Sequence, residues 1–302
     1  MVDWLLGAWG IVKTWAQSEQ VIASLAGALA GAWFGAWAAR SGAARDKERD
    51  SLLSEVRAVN AAGSLSFSIC NIVLGLKTQH VKGMKERHVK TLADLLEHKR
   101  KLEAGELPPG TVFGFVMDLQ TLPLMQLPTG ELRRLAFDRL SLPSRAMAAV
   151  IQLHQVAAQL DVALARRNEF IERTKTRKAA GHTPMTPQEY FGLPGADGHV
   201  NMDFPDTLKA IYTQTDDVIF YSWLLGNDLA EHGEQASKTF RRRFGTKSLP
   251  RIRTADYSKA KAEGLMPDEK EYANWLGGFQ PAPDESLMGK ARAALKKILK
   301  QN

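Results

Sequence analysis

Between Val21 and Ala39 the chain reads VIASLAGALAGAWFGAWAA, nineteen consecutive residues without a charge. As a helix rising about 1.5 Å per residue, such a run matches the roughly 30 Å of hydrocarbon in a bilayer. The pattern predicts a transmembrane helix over 21–39. Trp15 lies just before the run, and Trp33 and Trp37 lie in its last two turns, where indole rings settle at headgroup boundaries. Five of the seven Trp (Trp4, Trp9, Trp15, Trp33, Trp37) fall in the first 37 residues, an odd distribution for a helix bound for a soluble core.

Lys and Arg near a span stay on the cytoplasmic side. Before the run there is only Lys13, whereas Arg40, Arg45, Lys47 and Arg49 follow it closely. The expected placement is the inner membrane of a bacterial-type cell, single-pass, with the N-terminus outside and residues 40–302 cytoplasmic. The absence of a basic leader before the run and the basic stretch after it argue against a cleaved signal peptide. Residues 1–20 form an external interfacial segment in this reading. Within the run Ala23, Gly27, Gly31, Gly35 and Ala39 repeat every fourth position and therefore share one helix face. Small residues in that register let a second helix approach closely in lipid, so the face predicts a homo-oligomer.

Residues 61–76 (AAGSLSFSICNIVLGL) are too short for a typical second span and contain Asn71, so they read as a buried core helix with Cys70 as a small buried hydrophobe. Residues 81–104 carry an amphipathic pattern ending at Gly105, and the two segments are expected to form an antiparallel hairpin. Residues 106–130 and 181–204 are irregular linkers. The first admits one short strand near Thr111–Met117, and the second holds the capping-box sequence Thr186-Pro187-Gln188-Glu189. A short helix covers 131–140. A long one opens at Pro143 and runs to Lys178, with Met147, Val150, Ile151, Ala157, Leu164 and Ile171 on one stripe and Leu153, Leu160 and Phe170 on another. It should be contacted on two sides. Pro205 opens another long helix to Phe244, with Leu208, Ile211, Thr215, Val218, Ile219, Leu225 and Leu229 inward. The fold class is therefore mostly α: one transmembrane helix, then a long-helix bundle or coiled-coil-like cytoplasmic domain over 40–244, then a basic C-terminal region over 245–302.

The balance of 40 Lys+Arg against 33 Asp+Glu, a net charge of +7, favours anionic partners. A basic cluster, Lys238, Arg241, Arg242, Arg243, Lys247, Arg251 and Arg253, has no acid among it and is interleaved with Phe240, Phe244 and Leu249. It suits phosphate-bearing partners, whether lipid headgroups or nucleic acid, although a basic helix C-terminus also complements the macrodipole. Residues 285–300 place Leu287, Met288, Ala291, Leu295, Ile298 and Leu299 on one side of a helix and Lys290, Arg292, Lys296, Lys297 and Lys300 on the other. That pattern suits a helix lying on an anionic membrane surface, or docking on the protein's own bundle.

One cysteine excludes an intramolecular disulfide and a multi-cysteine zinc site. No phosphate-loop, dinucleotide-binding, zinc-protease, nucleophile-elbow or EF-hand pattern occurs, and no two of the seven His stand at i, i+3 or i, i+4. His154 reads as a hydrogen-bonded core imidazole, and Asp216, Asp217 and Asp228 as salt-bridged or solvated helix positions. No catalytic residue, metal or cofactor is expected. The sequence points to a membrane-anchored, self-associating helical scaffold, sensor or effector subunit that meets membrane lipids and a protein or anionic partner. The alternatives are a membrane-tethered enzyme acting on nucleic acid or nucleotides, and a membrane-perturbing effector.

Overall fold

The computed structural model describes residues 2–114, 116–181, 185–195, 197–246 and 249–279, with side chains from Ala23 onward except Leu25 and Ala26. Among the described residues the chain is all α, without a strand. Helix α1 is Val2–Leu76, and one π-helical turn, Lys77–Val81, leads into α2, Lys82–Glu103. Then follow α3 (Thr129–Arg139), α4 (Ser144–Ala179), α5 (Pro187–Phe191), α6 (Asp203–Phe244), α7 (Ser258–Ala262), a 3₁₀ turn (Glu269–Tyr272) and α8 (Ala273–Gly277).

The expected hairpin between residues 61–76 and 81–104 is not there. Leu76 (φ −58°, ψ −47°), Val81 (−66°, −43°) and Lys82 (−60°, −54°) all stay in the right-handed helical well. With no Pro and no left-handed residue between them, an extra residue is absorbed by widening one turn, not by reversing the chain. The helical path first breaks after α2, where Gly105 takes φ +70°. The short strand expected near Thr111–Met117 is likewise absent among the described residues. Beyond that segment the loop is held from α4: the Asn168 carboxamide bonds the Leu122 N–H and C=O at 2.8 and 2.7 Å, and Arg167 donates to the Gln120 carbonyl.

The chain divides into two compact units. The first comprises Met1–Val56 with Ala236–Leu249. Here α1 and the end of α6 run antiparallel: Arg243 pairs with Glu48, and the Arg45 guanidinium lies 5.9 Å from the Phe244 ring centre. Phe240 is buried and packs against Phe244 at 5.4 Å.

The second unit comprises Arg57–Gln235 with Pro250–Asn302. Within it α6 is antiparallel to α1, since the Ser66 hydroxyl donates to the Ser222 carbonyl (2.6 Å) and Lys77 pairs with Asp216 (2.5 Å). It is antiparallel to α4 as well, through Arg145–Asp228 and Arg166–Asp203. All seven inward positions expected on α6 are buried. Val150, Ala157, Leu164 and Ile171, together with Leu153 and Leu160, bury α4 on two sides, while Ile151 leaves its stripe at 47% exposure. In the stretch 61–76, Ala62, Ser66, Ile69, Cys70 and Val73 face the core at helical spacing and Asn71 faces out, which is the packing of a core helix. Residues 272–275 fold back on α6: Tyr272 stacks on Phe220 at 3.6 Å, its hydroxyl donates to Asp217 (2.8 Å), and Trp275 meets Tyr221 edge-on.

Candidate functional site

Two helical stretches, Gly27–Glu103 and Ser144–Ala179, are long and apolar enough to cross a membrane. In each stretch the most apolar eighteen-residue window is 44% buried, as in the core helix of a soluble fold, and in the first stretch that window falls in the region of the 61–76 core segment. The first stretch begins differently. Ala23 and every residue from Gly27 to Ala39 are exposed, with Leu29 at 65%, Trp33 at 72%, Phe34 at 70% and Trp37 at 64%. A methyl group added to Gly27, Gly31 or Gly35 would meet nothing within 4 Å. Among the described residues the small-residue face therefore has no partner, which leaves a groove wide enough for a second helix.

The basic cluster is divided. Lys238, Arg241, Arg242 and Arg243 belong to the first unit and are exposed at the end of α6, with Arg243 engaging Glu48. Arg251 and Arg253 belong to the second unit, where their backbone atoms hold the Asn60 side chain through the Arg251 carbonyl (3.0 Å) and the Arg253 N–H (3.1 Å). Lys247 lies outside the described residues, as do Lys290, Arg292, Lys296, Lys297 and Lys300 with the whole 285–300 segment. The aromatic interleaving offers no platform for nucleic-acid bases: Phe240 is 1% exposed and Phe244 is covered by Arg45.

A polar cluster that the sequence reading missed lies in the second unit. Arg167, 1% exposed, faces Asp118 at 3.7 Å, and Asp118 also accepts from Arg87 at 2.8 Å. Burial pushes the Arg167 guanidinium down from its ordinary value against the pull of Asp118. For Asp118, burial pushes up, but hydrogen bonds from Arg87 and the Gln120 N–H and the two guanidinium charges hold it below the usual carboxylate value. His88 packs on Phe191 and Tyr190 at 5.1 and 5.5 Å and hydrogen-bonds the Tyr190 backbone; burial lowers its pKa. Among the described residues Arg167 Nε, His88 Nε2 and the Tyr212 hydroxyl are buried without a hydrogen-bond partner. Beside them a cleft of about 590 Å³ is lined by Arg87, His88, Asp94, Met117, Asp118 and Tyr190. The cluster ties the 111–122 loop and α5 to α2 and α4. One signal was available: Arg167 falls three residues after Leu164 and four before Ile171, on a buried stripe.

The other polar positions noted in the sequence make side-chain contacts, and His154 is half-buried at the edge of the core instead of within it. His154 Nδ1 meets the Thr129 hydroxyl at 3.0 Å, Asp216 pairs with Lys77, Asp217 accepts from Tyr272, and Asp228 is held by Arg145. The Thr186–Glu189 capping box forms, seating Tyr190 and Phe191 in the core. Burial pushes the Cys70 thiol up to about 11, far from a nucleophile's range. Among the described residues no group of three or more His, Cys, Asp or Glu is placed to hold a metal ion. No protein-family model, curated protein or solved structure matches the chain.

Proposed function

We propose that this chain is a single-pass membrane protein that self-associates through the Ala23, Gly27, Gly31, Gly35 and Ala39 face and presents a helical cytoplasmic unit as a scaffold, sensor or effector subunit for a protein or anionic partner. One observation carries the reading: Leu29, Trp33, Phe34 and Trp37 are each about two-thirds exposed on the uncharged 21–39 run of α1. Fully burying one large apolar side chain gains about 1.5–3 kcal/mol, so leaving four two-thirds exposed to water forfeits roughly 4–8 kcal/mol. That approaches the whole net stability of a typical domain. Lipid removes this cost without any protein partner, and in lipid the open glycine groove favours close helix–helix contact through dispersion and Cα–H···O contacts. The basic flank from Arg40 to Arg49 supports the orientation with the bulk of the chain in the cytoplasm. Self-association would raise the local concentration of the cytoplasmic surfaces and turn weak contacts into lasting ones.

Cross-linking in native membranes tests this reading. The wild-type chain is expected to give a ladder of discrete oligomers, and the Gly27→Leu/Gly31→Leu/Gly35→Leu variant a monomer. A ladder that survives the triple substitution would reject the glycine face as the contact. Wild-type protein washed from the membranes by alkaline carbonate would reject the span itself.

A further inference from the structure

The end of α6 carries three consecutive arginines, more than a helix terminus calls for. One cation in the last turn satisfies the macrodipole. Successive residues on a helix point about 100° apart, so Arg241, Arg242 and Arg243 fan over more than half the circumference, and Arg243 is the one that engages Glu48 on α1. That contact, with Arg45 over Phe244, fixes the fan at a definite level along α1. Arg45 and Glu48 lie six and nine residues beyond Ala39, hence about 9 and 14 Å past the end of the uncharged run. A headgroup layer is about 5–8 Å thick on each side of the hydrocarbon, and the Debye length at physiological salt is about 8 Å. The guanidinium groups therefore stand within electrostatic reach of the lipid phosphates. The described part of this unit beyond Ala39 has eight cations (Arg40, Arg45, Lys47, Arg49, Lys238 and the three arginines) against Asp46, Glu48, Asp50 and Glu55.

We infer that Arg241, Arg242 and Arg243, held against α1 by the Arg243–Glu48 ion pair and the Arg45–Phe244 contact, form with Arg40, Arg45, Lys47 and Arg49 a binding surface for the phosphate of anionic phospholipid headgroups. The inference rests on the 21–39 span proposed above and names the ligand for the cluster's first-unit half. Forked guanidinium donors suit a phosphate diester, and an anionic leaflet at this level repels a competing polyanion. Nucleic acid fits less well also because the two aromatic rings of this unit's basic stretch are buried or covered.

The test is native mass spectrometry of the full-length chain in non-ionic detergent, titrated with phosphatidylglycerol or phosphatidylcholine. Phosphatidylglycerol is expected to be retained at a roughly tenfold or more lower concentration, because each basic residue at an anionic surface contributes about fivefold. Arg241→Gln/Arg242→Gln/Arg243→Gln should erase that preference, and Arg133→Gln/Arg134→Gln on α3 should keep it. The triple Arg→Lys variant keeps the charge but not the fork and should retain only part of the preference; the Gln variant should keep the wild-type circular dichroism and thermal midpoint, and a midpoint that falls together with the preference overturns the inference by assigning the arginines to the fold. Equal retention of both lipids by the wild type overturns the inference. So does displacement of the lipid by millimolar inorganic phosphate, which identifies a free-phosphate site, or tighter binding of a single-stranded oligonucleotide in the same buffer. Alkaline carbonate extraction separates the two readings: a wild type that stays in the membrane yet shows no lipid preference sinks this inference and leaves the span standing, whereas a wild type that washes out sinks both.

Discussion

Arg145, at the start of α4, grips Asp228 of α6 with two hydrogen bonds of 2.5 and 3.0 Å, and the two ends of this pair see different solvents. The carboxylate side chain is 5% exposed and the guanidinium side chain 43%. The pair should therefore respond asymmetrically to truncation. Arg145→Ala strands a buried carboxylate and is expected to cost about 3 kcal/mol, whereas Asp228→Ala releases the guanidinium to water and is expected to cost about 1–2 kcal/mol. Urea unfolding of the detergent-solubilised chain, followed by circular dichroism, gives both values. Equal costs would mean that the exposed arginine contributes as much as the buried acid.

Two glycines of α6 should give opposite signs when changed to alanine. At Gly226 an added methyl would find its nearest atom, the Tyr257 hydroxyl, at 3.5 Å, an ordinary contact. Gly226→Ala keeps the helix geometry and is expected to add up to about 1 kcal/mol by reducing the freedom of the unfolded chain. At Gly233 the same methyl would stand 2.6 Å from Ile252 Cδ1 and 2.8 Å from Val59 Cγ1. Overpacking outweighs propensity there, and Gly233→Ala is expected to lose about 1–3 kcal/mol. Thermal unfolding should move the two midpoints in opposite directions.

Local signals carried most of the helical architecture. The all-inward row of α6, most of the two α4 stripes, the Thr186–Glu189 box and the burial of Cys70 each follow from spacing within a turn or two of one helix. Two features were hidden. The polar stretch Lys77–His80 resembles a turn, yet it lacks Gly and Pro, and Lys77 spends its charge on Asp216 and the Leu265 carbonyl, partners 139 and 188 residues away. Residues 111–117 resemble a strand, but no other strand stands among the described residues to pair with them, and the loop is fastened farther on, at Gln120 and Leu122, by Arg167 and Asn168, 46–47 residues downstream. Period and propensity cannot report contacts whose two halves lie that far apart in sequence. At the candidate site the glycine row and the arginine run were legible, while the Arg243–Glu48 contact that brings α6 to α1 was not, for the same reason.

His88 should give the fold a specific pH dependence. Burial lowers its folded-state pKa below 6.5, against the hydrogen bond to the Tyr190 backbone. The groups around it are Arg87 beside it, Asp118 on the loop, Tyr190 on α5 and Asp94 one cleft wall away. Below pH 6.5 the unfolded chain takes up the proton first, so stability is full above that value and declines as the pH falls toward the folded pKa. Asp118 has its own loss much lower, below the ordinary 3.8, because its folded pKa is depressed. Denaturation midpoints of the wild type should thus fall between pH 7.5 and 5.5, and part of that fall should vanish in His88→Gln. Parallel curves for the two proteins would assign the decline to other groups.

Cys70 offers a clock for opening of the second unit. The thiol is fully buried between α1 and α6, within 4.0 Å of the Ile219 carbonyl, and burial pushes its pKa up to about 11. At pH 8 its thiolate fraction in the folded chain is on the order of one in a thousand, and no reagent can reach even that. A free cysteine in the unfolded chain, with a pKa near 8.5, reacts readily. Labelling by an aromatic disulfide reagent should therefore be negligible in the native protein and reach one equivalent per chain in urea. In between, its rate should track the α1–α6 contact, rising in Gly233→Ala and falling in Gly226→Ala. Rapid native labelling would mean that the seam from Ser66 to Ser222 opens without global unfolding.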